Sequence, residues 1–191
     1  MTLHNAPLSR LEYQGRTYRL TLSFDRVFRV IEIFGDPIIF QTDKAKAALR
    51  LLVKGRAPVG ILEPLFHELF GEAKSGGDKS RSFDFVQDAG YIYAAFWQAY
   101  GIDLHKERGR LHWHEFLALF TALPEDTRMA QIMAIRQRPL PKPNGHNTKE
   151  IQALLKQKRA VELKKTEQER EAERQKTLNS LFDTLLALAE G

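Results

Sequence analysis

The chain has 191 residues, 43% of them hydrophobic, and no cysteine. This length suits one domain with an appendage, or two very small domains, and the apolar content supports a core over most of it. The lack of cysteine excludes disulfides, thiol catalysis and cysteine-ligated zinc. No apolar run resembles a signal peptide or approaches the roughly 20 residues of a membrane span, so we expect a soluble protein that does not contact membranes.

The formal net charge of +5 is concentrated in one segment. Residues 136–159 contain seven Lys and Arg and a single Glu, whereas the rest of the chain is close to neutral. A basic run can contact phosphates, but it is also typical of a solvated surface. We therefore keep a basic nucleic-acid-binding accessory protein as the alternative function.

The N-terminal part changes from a strand pattern to a helix pattern. Residues 11–22 alternate in polarity around Gln14-Gly15, which predicts a small β-hairpin. Ser23 is the expected N-cap of a helix that ends at Gly35, with an apolar stripe at helical spacing formed by Phe24, Val27, Phe28, Ile31 and Phe34. Two further apolar stripes predict helices before Gly71, and the composition of residues 71–82, polar and rich in glycine and serine, predicts a surface loop.

The most aromatic stretch, residues 83–104, is predicted to form the central helix of the domain. Gly101 stands where a left-handed residue ends a helix, and Tyr93 and Trp97 fall beside the main apolar face and widen it. That face is formed by Phe85, Ala89, Ile92, Phe96 and Tyr100. Aromatic residues can also stack on bases, but these share a face with Ala and Ile, which favours core packing.

The segment LHWHEF, residues 111–116, raises the question of a metal site. Trp113 and Phe116 define a buried helical stripe, with His112 and His114 on opposite flanks about 160° apart. Two ligands on one helix need a spacing of three or four residues, which His112 and Glu115 have and the two histidines lack. That single pair leaves further ligands to be found, and the common catalytic motifs are absent from the sequence. We therefore predict no metal, no cofactor and no enzymatic activity, with a metal-dependent hydrolase centred on His112 as the least favoured alternative.

The chain after this helix divides into a linker and a helical tail. Glu125 and Asp126 fit the start of one more helix, after which prolines alternate within residues 136–147 and indicate a semi-rigid spacer. The organisation we expect is therefore a compact α-rich domain over 1–135, a Pro-rich linker over 136–147, and an extended charged helix over 148–191. The overall class is mainly α, with a small N-terminal β-hairpin.

The C-terminal end of that helix carries an amphipathic stripe. The polar segment before it is supported by pairs of opposite charge at helical spacing and is expected to hold the stripe away from the domain. Such a stripe gains apolar burial only by docking on another body. The candidate residues for partner binding or oligomerisation are Leu178, Leu181, Phe182, Leu185 and Leu186.

Three segments resemble the tail assembly chaperones of long-tailed bacteriophages, which are encoded beside the tape-measure protein. They are FDFVQDAGYIYAAFWQAYGIDL (83–104), LHWHEFLALFTALPEDT (111–127) and IMAIRQRPLPKPN (132–144). These segments supply core and turn positions, so they identify a family better than a binding site. His114 departs from the second aromatic residue expected after Trp113.

The resemblance implies a non-catalytic binder. Family members coat the hydrophobic tape-measure helix in the cytoplasm of the infected host and leave as the tail tube polymerises. The resemblance also implies that the partner is the tape-measure protein, with the major tail tube protein as a second candidate. It further implies that this protein is absent from the mature virion. Self-association is expected from the C-terminal stripe alone, because that stripe lies outside the resembling segments.

Overall fold

The computed structural model describes residues 7–71, 82–144 and 146–164. The chain falls into two compact units, Met1–Lys142 and Pro143–Gly191. In the described residues a two-stranded antiparallel sheet precedes a series of helices, which confirms the predicted class, mainly α with an N-terminal hairpin. Within the same residues, no helix is long and apolar enough to cross a membrane.

The N-terminal hairpin forms where the alternating pattern predicts it. Strand β1 (Arg10–Tyr13) pairs antiparallel with β2 (Arg16–Arg19). Gln14 and Gly15 connect the strands with φ of 50° and 72°. Two consecutive positive φ values give a tight turn whose twist matches that of the strands, so the predicted turn is confirmed.

The described helices of the first unit are α1 (Phe24–Gly35), α2 (Gln41–Leu52), α3 (Leu62–Phe70), α4 (Ala89–Tyr100), α5 (Trp113–Thr121) and α6 (Arg128–Gln137). An extended segment between β2 and α1 connects α2 and α5 through backbone hydrogen bonds. The N–H of Thr21 donates to the Leu52 carbonyl at 2.8 Å, and the N–H of Trp113 donates to the Leu22 carbonyl at 2.7 Å. This segment therefore joins the end of α2 to the start of α5.

A stack of aromatic rings forms the centre of the first unit. The fully buried Phe116 lies nearly parallel to Phe96 and Trp113, with ring centroids 4.9 and 5.8 Å away. Aromatic pairs of this kind contribute about 0.5–1.5 kcal/mol each beyond the area they bury. Trp113 also donates from Nε1 to the Leu69 carbonyl at 3.0 Å, which satisfies its one polar group. The predicted core position of Trp113 is confirmed.

The helix predicted from residue 83 starts later than expected. α4 begins only at Ala89, because hydrogen bonds to an aspartate side chain fold the preceding residues into turns. Asp84 Oδ1 accepts from the N–H of Val86 at 2.9 Å and of Gln87 at 2.8 Å. Short polar side chains that bond to nearby backbone groups compete with helix formation in this way.

The buried face of α4 is narrower than predicted. Gly101 ends the helix with φ 66° and ψ 16°, the left-handed conformation expected there. Trp97, however, is 53% exposed and does not widen the buried face. The ring of Phe96 packs on α5, and Tyr100 donates from its hydroxyl to a carbonyl of α5. Trp97 lies about 100° further round the helix than Phe96 and therefore faces solvent.

Two boundaries in the C-terminal part differ from the sequence prediction. The N-cap of α6 is Thr127, whose Oγ1 accepts from a backbone N–H of the first turn, and not the preceding acidic pair. α6 extends through Gln137, past the expected start of the linker. In the second unit, α7 (Thr148–Ala160) begins where expected and ends at Ala160. The predicted continuation beyond residue 164 lies outside the described residues.

Candidate partner-binding surface

The described part of the chain presents an open cleft of about 680 Å³ beside α1. Its walls come from α1, from the turn that precedes α4, from α4 itself and from residues 104–108. The five partner-binding residues predicted from the sequence lie outside the described residues: Leu178, Leu181, Phe182, Leu185 and Leu186. The volume is within the range of sites that hold a side-chain cluster or small ligand.

The floor of the cleft is an extension of the aromatic core. The ring of Phe28 lies 4.8 Å from that of Phe85 and 5.1 Å from that of Phe116, so the floor is fixed by rings that also fill the interior. Val86 stands at the edge and is 56% exposed. The remaining apolar side chains of the cleft include Phe24, Ile31, Ala89, Ile92 and Leu104. The result is an apolar surface that is open to solvent and continuous with the core.

The rim of the cleft is charged, and two of its charged groups are anchored to the protein's own backbone. Arg26 donates from Nη1 to the Leu51 carbonyl at 3.0 Å. Asp25 Oδ1 accepts from the N–H of Gly109 at 2.8 Å. The other charged or titratable side chains of the rim are Arg29, Glu32, His105 and Arg108. An apolar floor with a charged rim suits the apolar face of an amphipathic helix.

One wall of the cleft is held by Asp103. Its Oδ1 accepts from the N–H of His105 at 3.0 Å and from the hydroxyl of Tyr93 at 3.4 Å, and the rings of Tyr93 and His105 lie 4.9 Å apart. Burial by itself raises the pKa of Asp103, but the hydrogen bond from His105 and the charge of Lys106 outweigh it, so the pKa lies below 3.8. Asp103 is therefore ionised at neutral pH and fixes the turn beside the cleft.

The first histidine of the LHWHEF segment is a helix cap and not a flanking residue of the helix. His112 precedes α5 in an extended conformation, and its Nδ1 accepts from the N–H of His114 at 3.2 Å. Glu115 reaches back and accepts from the N–H of His112 at 3.1 Å. This reciprocal arrangement is a capping box, which satisfies backbone donors that a helix start leaves unpaired. The prediction that His112 lies on the helix flank was wrong, because a cap residue has non-helical backbone angles.

Both histidines are also held by carbonyl groups from distant segments. His112 Nε2 lies 3.0 Å from the Leu8 carbonyl, and His114 Nε2 lies 3.1 Å from the Glu68 carbonyl. A carbonyl only accepts, so both nitrogens donate, and the tautomers follow from this network. Within residues 7–71, 82–144 and 146–164, no group of three or more His, Asp or Glu side chains could hold a metal ion.

The basic segment that motivated the nucleic-acid alternative begins with an arginine that points inward. Arg136 donates from Nη1 to Asp88 Oδ2 at 2.6 Å and from Nη2 to Asp88 Oδ1 at 2.9 Å. Nη1 also donates to the Ser82 carbonyl at 3.1 Å. The Arg136 and Asp88 side chains are only 9% and 3% exposed. This pair ties the start of α4 to α6, so Arg136 serves the fold.

The width of the apolar arc of α1 is a sequence signal for one wall of the cleft. Val27 and Val30 are fully covered by the core, at 0% and 2% exposure. Phe28 and Ile31 belong to the same apolar arc of α1 and are only partly buried. An arc wider than the core requires is the expected signature of a second apolar surface.

The class of protein follows from a comparison with family models. A model of a bacteriophage protein family matches residues 4–163, which is most of the chain. The chain belongs to this family, described as Bacteriophage Gp15 protein. Neither a curated protein nor a solved structure matches it.

Proposed function

We propose that this bacteriophage protein is a tail assembly chaperone, which binds the tape-measure protein and keeps it soluble until the tail tube polymerises. The observation that carries the proposal is the cleft beside α1, whose floor is apolar and accessible. It acts by binding and not by catalysis, in the host cytoplasm, and is absent from the mature virion. The major tail tube protein is a second candidate partner.

The chemistry of the cleft supports a binding role for a helix. A tape-measure helix has apolar side chains that must be covered until the tube encloses them. Each large side chain that such a helix inserts between Phe28 and Val86 removes apolar surface from water, at about 1.5–3 kcal/mol per fully buried residue. The carboxylate of Asp25 and the guanidinium of Arg26 already bond to the protein's own backbone. This supports a structural role for them in fixing the rim and not a role in acid–base catalysis.

Co-expression with the tape-measure protein of the same phage tests the proposal. Val86→Glu places a charge at the edge of the cleft and should lower the yield of soluble tape-measure protein. Val59→Glu is the matched control, because Val59 is equally exposed, at 56%, and does not line the cleft. Equal yields with both variants, or tape-measure protein that is soluble without this chain, would refute the proposal.

The salt dependence of binding separates the chaperone from the nucleic-acid alternative. Apolar burial should change affinity little between 50 and 200 mM salt, whereas six to ten phosphate contacts lose about 10³–10⁵-fold over that range. Titration of the full chain with tape-measure fragments and with duplex DNA, each at several salt concentrations, gives the salt dependence of the two affinities. Tight DNA binding with a steep slope would favour the accessory-protein alternative.

A further inference from the structure

Three positively charged residues lie side by side across the N-terminal hairpin and the segment that follows α2. Arg10 pairs with Arg19 in the hairpin, and the backbone N–H of Lys54 donates to the Arg19 carbonyl at 2.9 Å. All three side chains are exposed, whereas Leu20 and Val53, which pair with each other beside them, are buried. Because successive side chains of a strand point to opposite faces, Arg10, Arg19 and Lys54 form one basic row on the outer face.

The charges of the basic row are closely spaced. The N–H of Leu20 donates to the Ser9 carbonyl at 2.8 Å, and hydrogen-bonded pairs alternate with non-bonded pairs along an antiparallel ladder. Arg10 and Arg19 are therefore a non-bonded pair, the kind whose Cα atoms approach most closely, at about 4.5 Å. Lys54 is on the next extended segment, about 5 Å further across. Like charges directly opposite each other destabilise a sheet, so the basic row opposes folding.

No acidic side chain among the described residues neutralises the basic row. Within residues 7–71, 82–144 and 146–164, none of its three side chains takes part in a salt bridge or a side-chain hydrogen bond. Glu12, the one acidic residue of the two strands, belongs to the neighbouring cross-strand pair and lies opposite Thr17. The basic row is therefore accessible to an anionic partner.

We infer that the basic row binds the acidic face of a helix in a partner protein. Carboxylates three or four residues apart on a helix have Cβ atoms about 5–6 Å apart, which matches the spacing of the basic row, and a guanidinium pairs with a carboxylate through two parallel hydrogen bonds. Duplex nucleic acid fits less well, because its dense phosphates would also lie against the carboxylate of Glu12. The inference is independent of the tape-measure proposal, since none of the three residues lines the cleft.

Two synthetic helical peptides of the same alanine-rich composition test the geometry. In one peptide the glutamates share a single face, and in the other they are spread around the helix. The full chain should bind the one-faced peptide about tenfold more tightly at low salt, as measured by fluorescence anisotropy, because only that peptide can pair with several cations of the row at once. Equal affinities for the two peptides would overturn the inference, since they would reflect attraction between net charges alone.

Arg10→Gln together with Arg19→Gln should abolish the preference for the one-faced peptide and keep or raise the melting temperature, because the repulsion within the row is relieved. The control, Arg110→Gln together with Arg128→Gln, removes the same charge from exposed positions before α5 and at the start of α6, and should keep the preference. Equal losses of the preference in the two double variants would overturn the inference. So would duplex DNA that binds through the basic row more tightly than the one-faced peptide, which would assign the row to nucleic acid.

Discussion

Two hydroxyl side chains at helix starts contribute differently to stability. Ser23 occupies the N-cap position of α1, but its side chain makes no hydrogen bond to the helix backbone. Its buried Oγ has no hydrogen-bond partner in the described structure. Thr127 is fully buried, and its Oγ1 donates to the Pro124 carbonyl at 2.7 Å and caps α6. Removing an unpaired buried hydroxyl costs nothing in lost hydrogen bonds, whereas removing a cap costs about 0.5–2 kcal/mol.

Ser23→Ala is therefore expected to keep or raise the free energy of unfolding, and Thr127→Ala to lower it by about 1–2 kcal/mol. Urea denaturation of both variants beside the unmodified chain measures the difference. Equal losses in the two variants would mean that the Ser23 hydroxyl makes a stabilising contact.

The capping histidine makes stability depend on pH. Burial lowers the pKa of His112 below 6.5; the nearby charge of His114 adds to this, and the Leu8 carbonyl and Glu115 oppose it. Because the unfolded chain then binds the proton more tightly than the folded chain, stability is complete above pH 6.5 and falls as the pH drops through the folded-state pKa. Protonation of Nδ1 also removes the acceptor that caps α5.

His112→Asn should weaken this pH dependence, because asparagine is a good N-cap and does not titrate. Urea denaturation at several pH values between 5 and 7.5 gives the change of the free energy of unfolding with pH for the variant and for the unmodified chain. The matched variant His67→Asn makes the same substitution at an exposed histidine of α3 and leaves the cap of α5 in place. An unchanged slope for His112→Asn would show that another group causes the acid sensitivity.

The buried ion pair of Asp88 and Arg136 connects α4 to α6 and contributes to the free energy of unfolding by holding the two helices together. Arg136→Met leaves the Asp88 carboxylate buried at 3% exposure without its bidentate partner. Breaking a buried pair from one side costs about 3–5 kcal/mol, while replacing both partners by apolar residues costs far less. Thermal and urea melts of Arg136→Met, Asp88→Leu and the double variant form the required cycle.

The control for that cycle is an exposed pair on α1. Arg29 and Glu32 form a salt bridge of 2.9 Å with side chains 66% and 43% exposed. Exposed pairs contribute about 0–1 kcal/mol, so Arg29→Met should cost much less than Arg136→Met. Similar losses for the two substitutions would show that the Asp88–Arg136 pair does not connect α4 and α6 energetically.

Local patterns predicted the elements well where local chemistry decides them. The turn at Gln14-Gly15 and the left-handed Gly101 follow from steric freedom at single positions. The start of α4 was missed, because the turns made by Asp84 compete with a helix that the apolar period favours equally. His112 was misplaced for a similar reason, since a histidine cap is rarer than one made by Ser, Thr, Asp or Asn.

At the scale of the whole molecule, the wide apolar arc of α1 indicates one wall of the cleft, but no sequence pattern predicts which other residues complete it. Its floor combines Phe28 of α1 with Phe85, a residue of the turn before α4, and Leu104 after that helix. No period in the sequence relates these positions, because the packing of the helices brings them together. The same holds for Arg136, whose basic neighbours suggested an exposed charge and whose partner lies 48 residues earlier.

The predicted C-terminal stripe gives a test on the same scale. Among the described residues, the core cluster of the first unit draws on side chains between Leu8 and Met133. We expect Leu181→Asp together with Leu185→Asp to leave the melting temperature of that unit unchanged, because the polar segment predicted before the stripe separates it from the domain. The sequence of the stripe is too short for a stable isolated helix, which needs about 12–15 residues even in favourable cases, so its apolar side chains gain burial only by docking.

The double substitution is expected to lower the mass of the assembly or to weaken tape-measure binding, as measured by light scattering and co-purification. Unchanged mass and unchanged binding would mean that the stripe has no role in association.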